Sequence, residues 1–172
     1  MNLQTRSHIR LTAILSLIFV AASLVNAQEK ATILAGADLN RIVPTGFYFE
    51  GQSAPTQMRN AAAARFAEKR HIVAGLVDTS GYSSDIRAKY EGFLITDSGI
   101  RVGGESLDTG AYGFGFTDDG RLNIFDVSGK QVLSVAAASD KDLRRPRPLM
   151  LTNAADGLRL YAGRSYVVVK TK

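Results

Sequence analysis

The chain contains no cysteine. Disulfides, thiol nucleophiles and thiolate metal sites are therefore excluded, as is a lipoprotein, which needs a cysteine to acylate. Histidine is nearly as scarce. Of His8 and His71, only the second survives removal of the leader argued below, so a site built on two histidines cannot form. No Gly-x-Ser-x-Gly elbow occurs, and a Ser-His-Asp triad would require His71, beside Lys69 and Arg70 in what reads as a solvated loop, to find distant partners. No uncharged apolar run reaches the about 20 residues of a spanning helix. Strong charge is missing too: 21 basic residues oppose 16 acidic ones. That balance is far from the basic stripe of a nucleic-acid binder. Neither a cofactor motif nor a metal-ligand set is present, and none of either is expected.

What is present begins at the N-terminus. Arg6 and Arg10 precede an uncharged apolar stretch over residues 11–25, and Val25-Asn26-Ala27 supplies a small-residue exit. This is the pattern of a signal peptide over residues 1–27, with the mature chain starting at Gln28 outside the cytoplasm, periplasmic or secreted. The alternative, an uncleaved anchor, is disfavoured by the length of the run and its interruption by Thr12, Ser16 and Ser23. Loss of Arg6 and Arg10 leaves 19 basic against 16 acidic residues, a net charge of +3. About 145 residues in one domain can bury a sufficient core without disulfides.

Residues 28–41 lack a sustained period and read as a lead-in segment in which disorder is allowed, with the compact domain over residues 42–172. Ser98-Gly99, Asp119-Gly120, Ser128-Gly129 and Asp156-Gly157 each separate apolar or alternating runs, as hairpin turns do. Between them lie β-rich segments at 93–96, 100–102, 111–116, 121–127, 131–136, 158–162 and 165–171. Their lengths suit an all-β domain, a single antiparallel β-sandwich or small β-barrel. Residues 57–77 are ambiguous. The run Ala61 to Ala64 favours helix by propensity, whereas Ala62, Ala64, Phe66 and then Ile72, Ala74, Leu76 alternate as a hairpin around Glu68-Lys69-Arg70, the preferred reading. One short helix is expected at 85–90, capped by Ser83 or Ser84.

Val43-Pro44-Thr45-Gly46-Phe47-Tyr48, Leu107-Asp108-Thr109-Gly110-Ala111-Tyr112 and, one residue longer, Leu160-Tyr161-Ala162-Gly163-Arg164-Ser165-Tyr166 each place glycine before a tyrosine entering a strand. The physical sense is a turn that delivers an aromatic to the core. The second copy resembles the leucine, glycine, tyrosine turn of secreted bacterial β-sandwich modules, including the carboxypeptidase-regulatory-like group. The resemblance covers about ten residues and implies a binding or accessory module rather than an enzyme.

Three places invite chemistry. Residues 111–116 put Tyr112, Phe114 and Phe116 on one strand face and leave Gly113 and Gly115 on the other, either as the floor of a ligand pocket or as close packing. Leu76-Val77-Asp78-Thr79-Ser80-Gly81 is similar to the aspartic-protease motif, with Ser80 inserted where that family turns directly on glycine. Asp78 is thus the candidate for an Asp-dependent hydrolase, against a loop that hydrogen-bonds its own backbone. Asp118 and Asp119 lack the further oxygen ligands of a calcium loop and read as a turn. The most distinctive loop is 140–148, where Lys141, Arg144, Arg145 and Arg147 crowd together and Pro146 and Pro148 stiffen the backbone. Guanidinium forks suit phosphate or carboxylate, unless the loop is a solvated connection whose arginines pair with Asp140, Asp142 and nearby carboxylates. The sequence thus reads as an exported non-enzymatic binding module for an anionic envelope component or a protein. An Asp78-dependent hydrolase and a purely structural interaction protein are the alternatives.

Overall fold

A computed structural model describes residues 30–66 and 70–172. The expected signal peptide and its cleavage site, and Glu68 and Lys69 of the expected hairpin turn, lie outside the described residues. The order is β1 (Thr32–Leu34), α1 (Gly36–Ile42), β2 (Gly46–Phe49), β3 (Gln52–Arg65), β4 (His71–Val77), α2 (Ser84–Lys89) and β5 (Gly92–Thr96). There follow β6 (Ile100–Val102), β7 (Glu105–Leu107), β8 (Gly110–Phe116), β9 (Arg121–Phe125), β10 (Gln131–Ala136), β11 (Ala138–Ser139), β12 (Arg147–Ala154), β13 (Gly157–Gly163) and β14 (Ser165–Thr171). An eight-stranded sheet runs β1-β3-β4-β5-β8-β9-β10 with β2 hairpinned onto β3, and a six-stranded sheet runs β12-β13-β14-β6-β7 with β11 on β14. Every pairing is antiparallel. The described residues form an all-β sandwich with two short helices. No helix among the described residues is long and apolar enough to cross a membrane.

The large sheet is apolar on both faces, which explains why its central strands read as nearly continuous hydrophobic runs. Ile72, Ala74, Leu94, Phe114, Leu122 and Ile124 face Ile100, Val102, Leu151, Leu160, Val167 and Val169 of the small sheet. On the opposite face, Ala63, Val73, Phe93 and Phe125 are roofed by Val43, Phe47, Phe49, Ile86 and Tyr90. A sheet covered on both sides leaves little room, and alanine supplies it: Ala63 faces the roof while Ala64 faces the sandwich core. That two-residue alternation makes 57–77 a hairpin, with β3 pairing β4 from Ala61↔Gly75 to Arg65↔His71. Helical propensity yields to a register that buries both faces.

Three of the four glycine turns are hairpins, but Ser98-Gly99 is not. It carries the chain from β5 in one sheet to β6 in the other. Residues 30–41, expected as a lead-in, belong to the fold. Ala31 is buried, β1 pairs with β3, and α1 joins the roof through Leu39. Asn153 Nδ2 donates to the Ala31 carbonyl at 2.7 Å and ties this edge of the large sheet to β12. Ser83 caps α2, its Oγ accepting from Ile86 N. His71 is not a loop residue: it opens β4, and Asp97 accepts from its backbone N at 2.7 Å and lies 3.1 Å from Nδ1.

The hairpin from β2 to β3 turns through Glu50 and Gly51 with φ of +42° and +76°, the double positive φ of a tight hairpin turn. Glu50 is the one described non-glycine residue there. Its carboxylate offsets the strain by accepting from Lys89 Nζ at 3.1 Å and Tyr90 Oη at 3.3 Å, while its backbone N donates to the Val127 carbonyl.

Candidate functional site

An open cleft of about 420 Å³ lies at one end of the sandwich, lined by Gln57, Thr79, Arg87, Glu91, Pro148 and Gly163 among others. The strand ends build it. Between Thr56 and Ala61 the register of β3 against β4 shifts, so residues 57–60 leave the ladder and side-chain bonds take its place. Gln57 Nε2 donates to the Val77 carbonyl at 3.1 Å, and Gln57 Oε1 accepts from Asn60 Nδ2 at 2.8 Å. Thr79 comes from the loop after β4, Arg87 and Glu91 from α2 and its exit, and Pro148 and Gly163 from neighbouring strands of the small sheet. Two segments flagged separately in the sequence, the Asp78 loop and the arginine loop, thus meet at one cleft.

Asp78 is an exposed turn residue. Its Oδ1 accepts from Ser80 N at 3.1 Å, and its backbone N donates to the Pro55 carbonyl. Hydrogen bonding from the Ser80 side chain, then from its backbone, holds the carboxyl below the usual range. The inserted serine is therefore what occupies the carboxylate.

Glu91 behaves in the opposite way. It keeps exposed surface, but atoms packed around its carboxyl desolvate it and raise its pKa; the bond from Phe116 N at 2.9 Å opposes this and the charge of Asp118 adds to it. An acid whose pKa is raised on folding loses stability as pH climbs from its unfolded value through its folded one. Glu91→Gln keeps the acceptor for Phe116 N and removes that charge. At pH 7 it should raise the unfolding midpoint by about 1 °C, the scale of a few tenths of a kcal/mol at a solvent-screened site. The gain should disappear in acid, where wild-type Glu91 is protonated too. A pH-independent difference in calorimetric midpoints would contradict this.

The arginine loop is ordered by its backbone. Arg164 Nη1 lies 3.2, 3.0 and 2.8 Å from the carbonyls of Asp140, Lys141 and Leu143, and Asp140 N donates to the Arg164 carbonyl. Asp140 is occupied elsewhere: Oδ1 accepts from Asp142 N and Oδ2 from Tyr161 Oη. The sequence's alternative, arginines neutralised by Asp140 and Asp142, does not occur. Lys141, Arg144, Arg145 and Arg147 are exposed, and among the described residues none of their side chains makes a hydrogen bond or ion pair. Arg147 opens β12 opposite Gly163, so the loop runs into the cleft rim.

Gly113 is not a pocket floor. A Cβ there would overlap the ring of Tyr90, which is fully buried. Gly115 is buried too, paired with Asn123 of β9. Gly113 makes room for Tyr90 at the end of α2, and Gly75 for Phe93 of the neighbouring strand, where an added Cβ would sit 2.7 Å from the ring. Asp118 and Asp119 form the exposed turn between β8 and β9.

Of the three glycine-tyrosine turns, that of Gly110 closes on itself. Tyr112 Oη donates to the Asp108 carbonyl four residues back at 3.1 Å, with its ring over Gly110. In the first copy the buried aromatic is Phe47, while Tyr48 is 59% exposed. What sequence reading missed is the cleft itself. Gln57, Arg87 and Glu91 are ordinary by type, and only the β3 register shift and the placement of α2 bring them together. No family model, curated protein or solved structure matches this chain.

Proposed function

We propose that this chain is an exported, non-enzymatic β-sandwich binding module, periplasmic or secreted, that captures an anionic component of the cell envelope. The loop at 140–148 makes the first contact, and the cleft beside Arg87 and Pro148 accommodates the remainder of the ligand. One observation carries this reading: four cationic side chains stand exposed and unpartnered on a backbone that Arg164 and two prolines fix in place. Charges held without partners on an ordered loop are already arranged for an incoming anion, so binding forfeits no existing ion pair and orders little. The turn at Gly110 and its resemblance to secreted accessory modules agree with this role. Arg6, Arg10, the apolar run and the Ala27 exit support export.

The test uses the exported protein, whose intact mass should place Gln28 first, and vesicles of phosphatidylglycerol against neutral phosphatidylcholine. Retention on the anionic vesicles should exceed that on neutral ones and fall as salt rises, since exposed charges are screened over about 10 Å at 0.1 M. Replacing Arg144, Arg145 and Arg147 together with alanine should weaken retention about tenfold, each exposed charge contributing a few tenths of a kcal/mol. The fold should be untouched, because no core residue changes. Equal retention by the triple variant at all salt concentrations would refute the arginine loop as the contact.

A further inference from the structure

The outer face of the small sheet carries a second group of cationic side chains, apart from the arginine loop. The large sheet is roofed on its outer side, whereas the small sheet presents Arg159, Tyr166, Val168, Lys170 and Arg101 on the face opposite its core residues Leu158, Leu160, Val167 and Val169. A cavity of about 320 Å³ opens there, lined by Arg101, Gly104, Asp156, Val168 and Lys170. Arg101 and Lys170 are direct cross-strand partners. Side chains so placed lie about 5 Å apart at Cβ, and like charges in that position destabilise a sheet.

The pair is only partly compensated: the Asp156 carboxylate attracts Lys170 through space but makes its hydrogen bonds elsewhere. Asp156, its one acidic lining residue, is taken by Arg159 through two bonds, Nε to Oδ1 at 3.0 Å and Nη2 to Oδ2 at 2.9 Å. The Arg159 guanidinium also lies over the Tyr166 ring, 4.3 Å from its centroid. Arg101 donates from Nη1 to the Gly104 carbonyl at 3.2 Å, leaving its other N–H groups free. Lys172, two residues beyond Lys170 on the same strand end, finds Asp108 at 2.9 Å. Lys170 finds no such partner. A repulsive pair facing into a cavity, with the nearby acid already bound, leaves a local charge of +2.

We infer that this cavity binds a phosphomonoester, with Arg101 and Lys170 gripping the phosphate and the sugar-sized remainder resting on Val168 and the Gly104 backbone. A dianion matches the charge, a guanidinium fork and an ammonium both suit phosphate oxygens, and the volume exceeds what phosphate alone would fill. The site is separate from the arginine loop, so its test stands or falls alone.

Backbone amide shifts of the mature protein should be followed by nuclear magnetic resonance during titration with glucose 6-phosphate, with glucose as the uncharged control. Saturable shifts should centre on Arg101, Gly104 and Lys170, and glucose should produce none. Apparent affinity should fall at least tenfold in Lys170→Gln and in Arg101→Gln, and stay unchanged when Arg144, Arg145 and Arg147 are alanine. Vesicles containing phosphatidic acid separate a lipid source from a soluble one: retention dependent on Lys170 and Arg101 supports the site with the ester on a lipid. Titration shifts confined to the arginine loop, or no Lys170-dependent response to either phosphate source, would overturn the proposal.

Discussion

Gly113→Ala should lower the midpoint of thermal unfolding by about 10 °C, even though adding a methyl to a strand glycine ordinarily stabilises it by restricting the unfolded chain. The sign reverses because the added Cβ would occupy the space of the Tyr90 ring. That ring cannot step aside. It stacks on Phe49 at 4.3 Å between centroids and tilts against Phe125 at 5.9 Å, while its hydroxyl reaches Glu50 Oε1 at 3.3 Å and the Asp126 carbonyl at 3.2 Å. Burial, then the charge and hydrogen bond of Glu50, push the tyrosine pKa well above its ordinary value, so the hydroxyl stays a donor throughout the physiological range. Overpacking a site so enclosed costs about 3 kcal/mol, and a domain of this size loses about 2–4 °C per kcal/mol.

A double-mutant cycle separates this cause from general strand disruption. Tyr90→Ala alone should cost about 3–5 kcal/mol, as truncation of a buried aromatic does. With Tyr90 already alanine, Gly113→Ala should cost almost nothing further, a coupling of the size found between residues in contact. Additive losses would mean that the glycine is required by the backbone and not by the ring. A neutral or stabilising Gly113→Ala would show an open face above β8.

Gly113 also marks how far the sequence could be read. The alternation of Tyr112, Phe114 and Phe116 against Gly113 and Gly115 showed that one face of the strand lacks bulk, but not what fills it. Tyr90 lies 23 positions earlier, and only the placement of α2 over the sheet brings it there. The same limit applied at 57–77. Alternation about Ala62, Ala64, Ile72 and Ala74 revealed the hairpin, because register is a local pattern. The second apolar face, with Val73 and Phe93 under a roof, depends on α1 and β2 returning across the sheet. Residues 32–42 carry too few periodic positions to announce that role. Strand β7 buries only Leu107 and β11 is exposed at both residues, so neither offers the alternation that made the equally short β6, with Ile100 and Val102 buried, legible.

The candidate site divides in the same way. Lys141, Arg144, Arg145 and Arg147 are adjacent in the chain, so their clustering was legible directly. The Asp78 turn was legible too, because Asp78 and Ser80 interact two residues apart. Arg87 and Glu91 sit four residues apart on α2 and its exit, but Gln57 comes from β3 and Pro148 and Gly163 from the small sheet, and no spacing rule links these segments. Arg101 and Lys170 are 69 positions apart, and their opposition exists only in the β6–β14 register.

Arg164→Ala should increase tryptic cleavage of the arginine loop about thirtyfold while leaving the unfolding midpoint nearly unchanged. Lys141 and Arg144 are the susceptible positions, since Arg145 and Arg147 each precede proline. The carbonyl of Lys141 belongs to one of the bonds that trypsin must open, and it is held by Arg164 at 3.0 Å along with those of Asp140 and Leu143. Cleavage in a folded protein requires local opening, and its rate follows the open population when reclosing is fast. Hydrogen bonds from a charged donor, discounted for the exposure of Arg164, together shift that population by about 2 kcal/mol, which is about thirtyfold. Global stability should hardly respond, because Arg164 lies in the exposed turn between β13 and β14 and supports no core residue. Anion retention should fall only about threefold, the loss of a preorganised backbone with every cation still in place. Mass spectrometry of the fragments identifies the cleaved bonds. Cleavage after Lys141 and Arg144 at the wild-type rate would mean that the loop is fixed by its prolines alone, and would remove Arg164 from the account of how the cations are held ready.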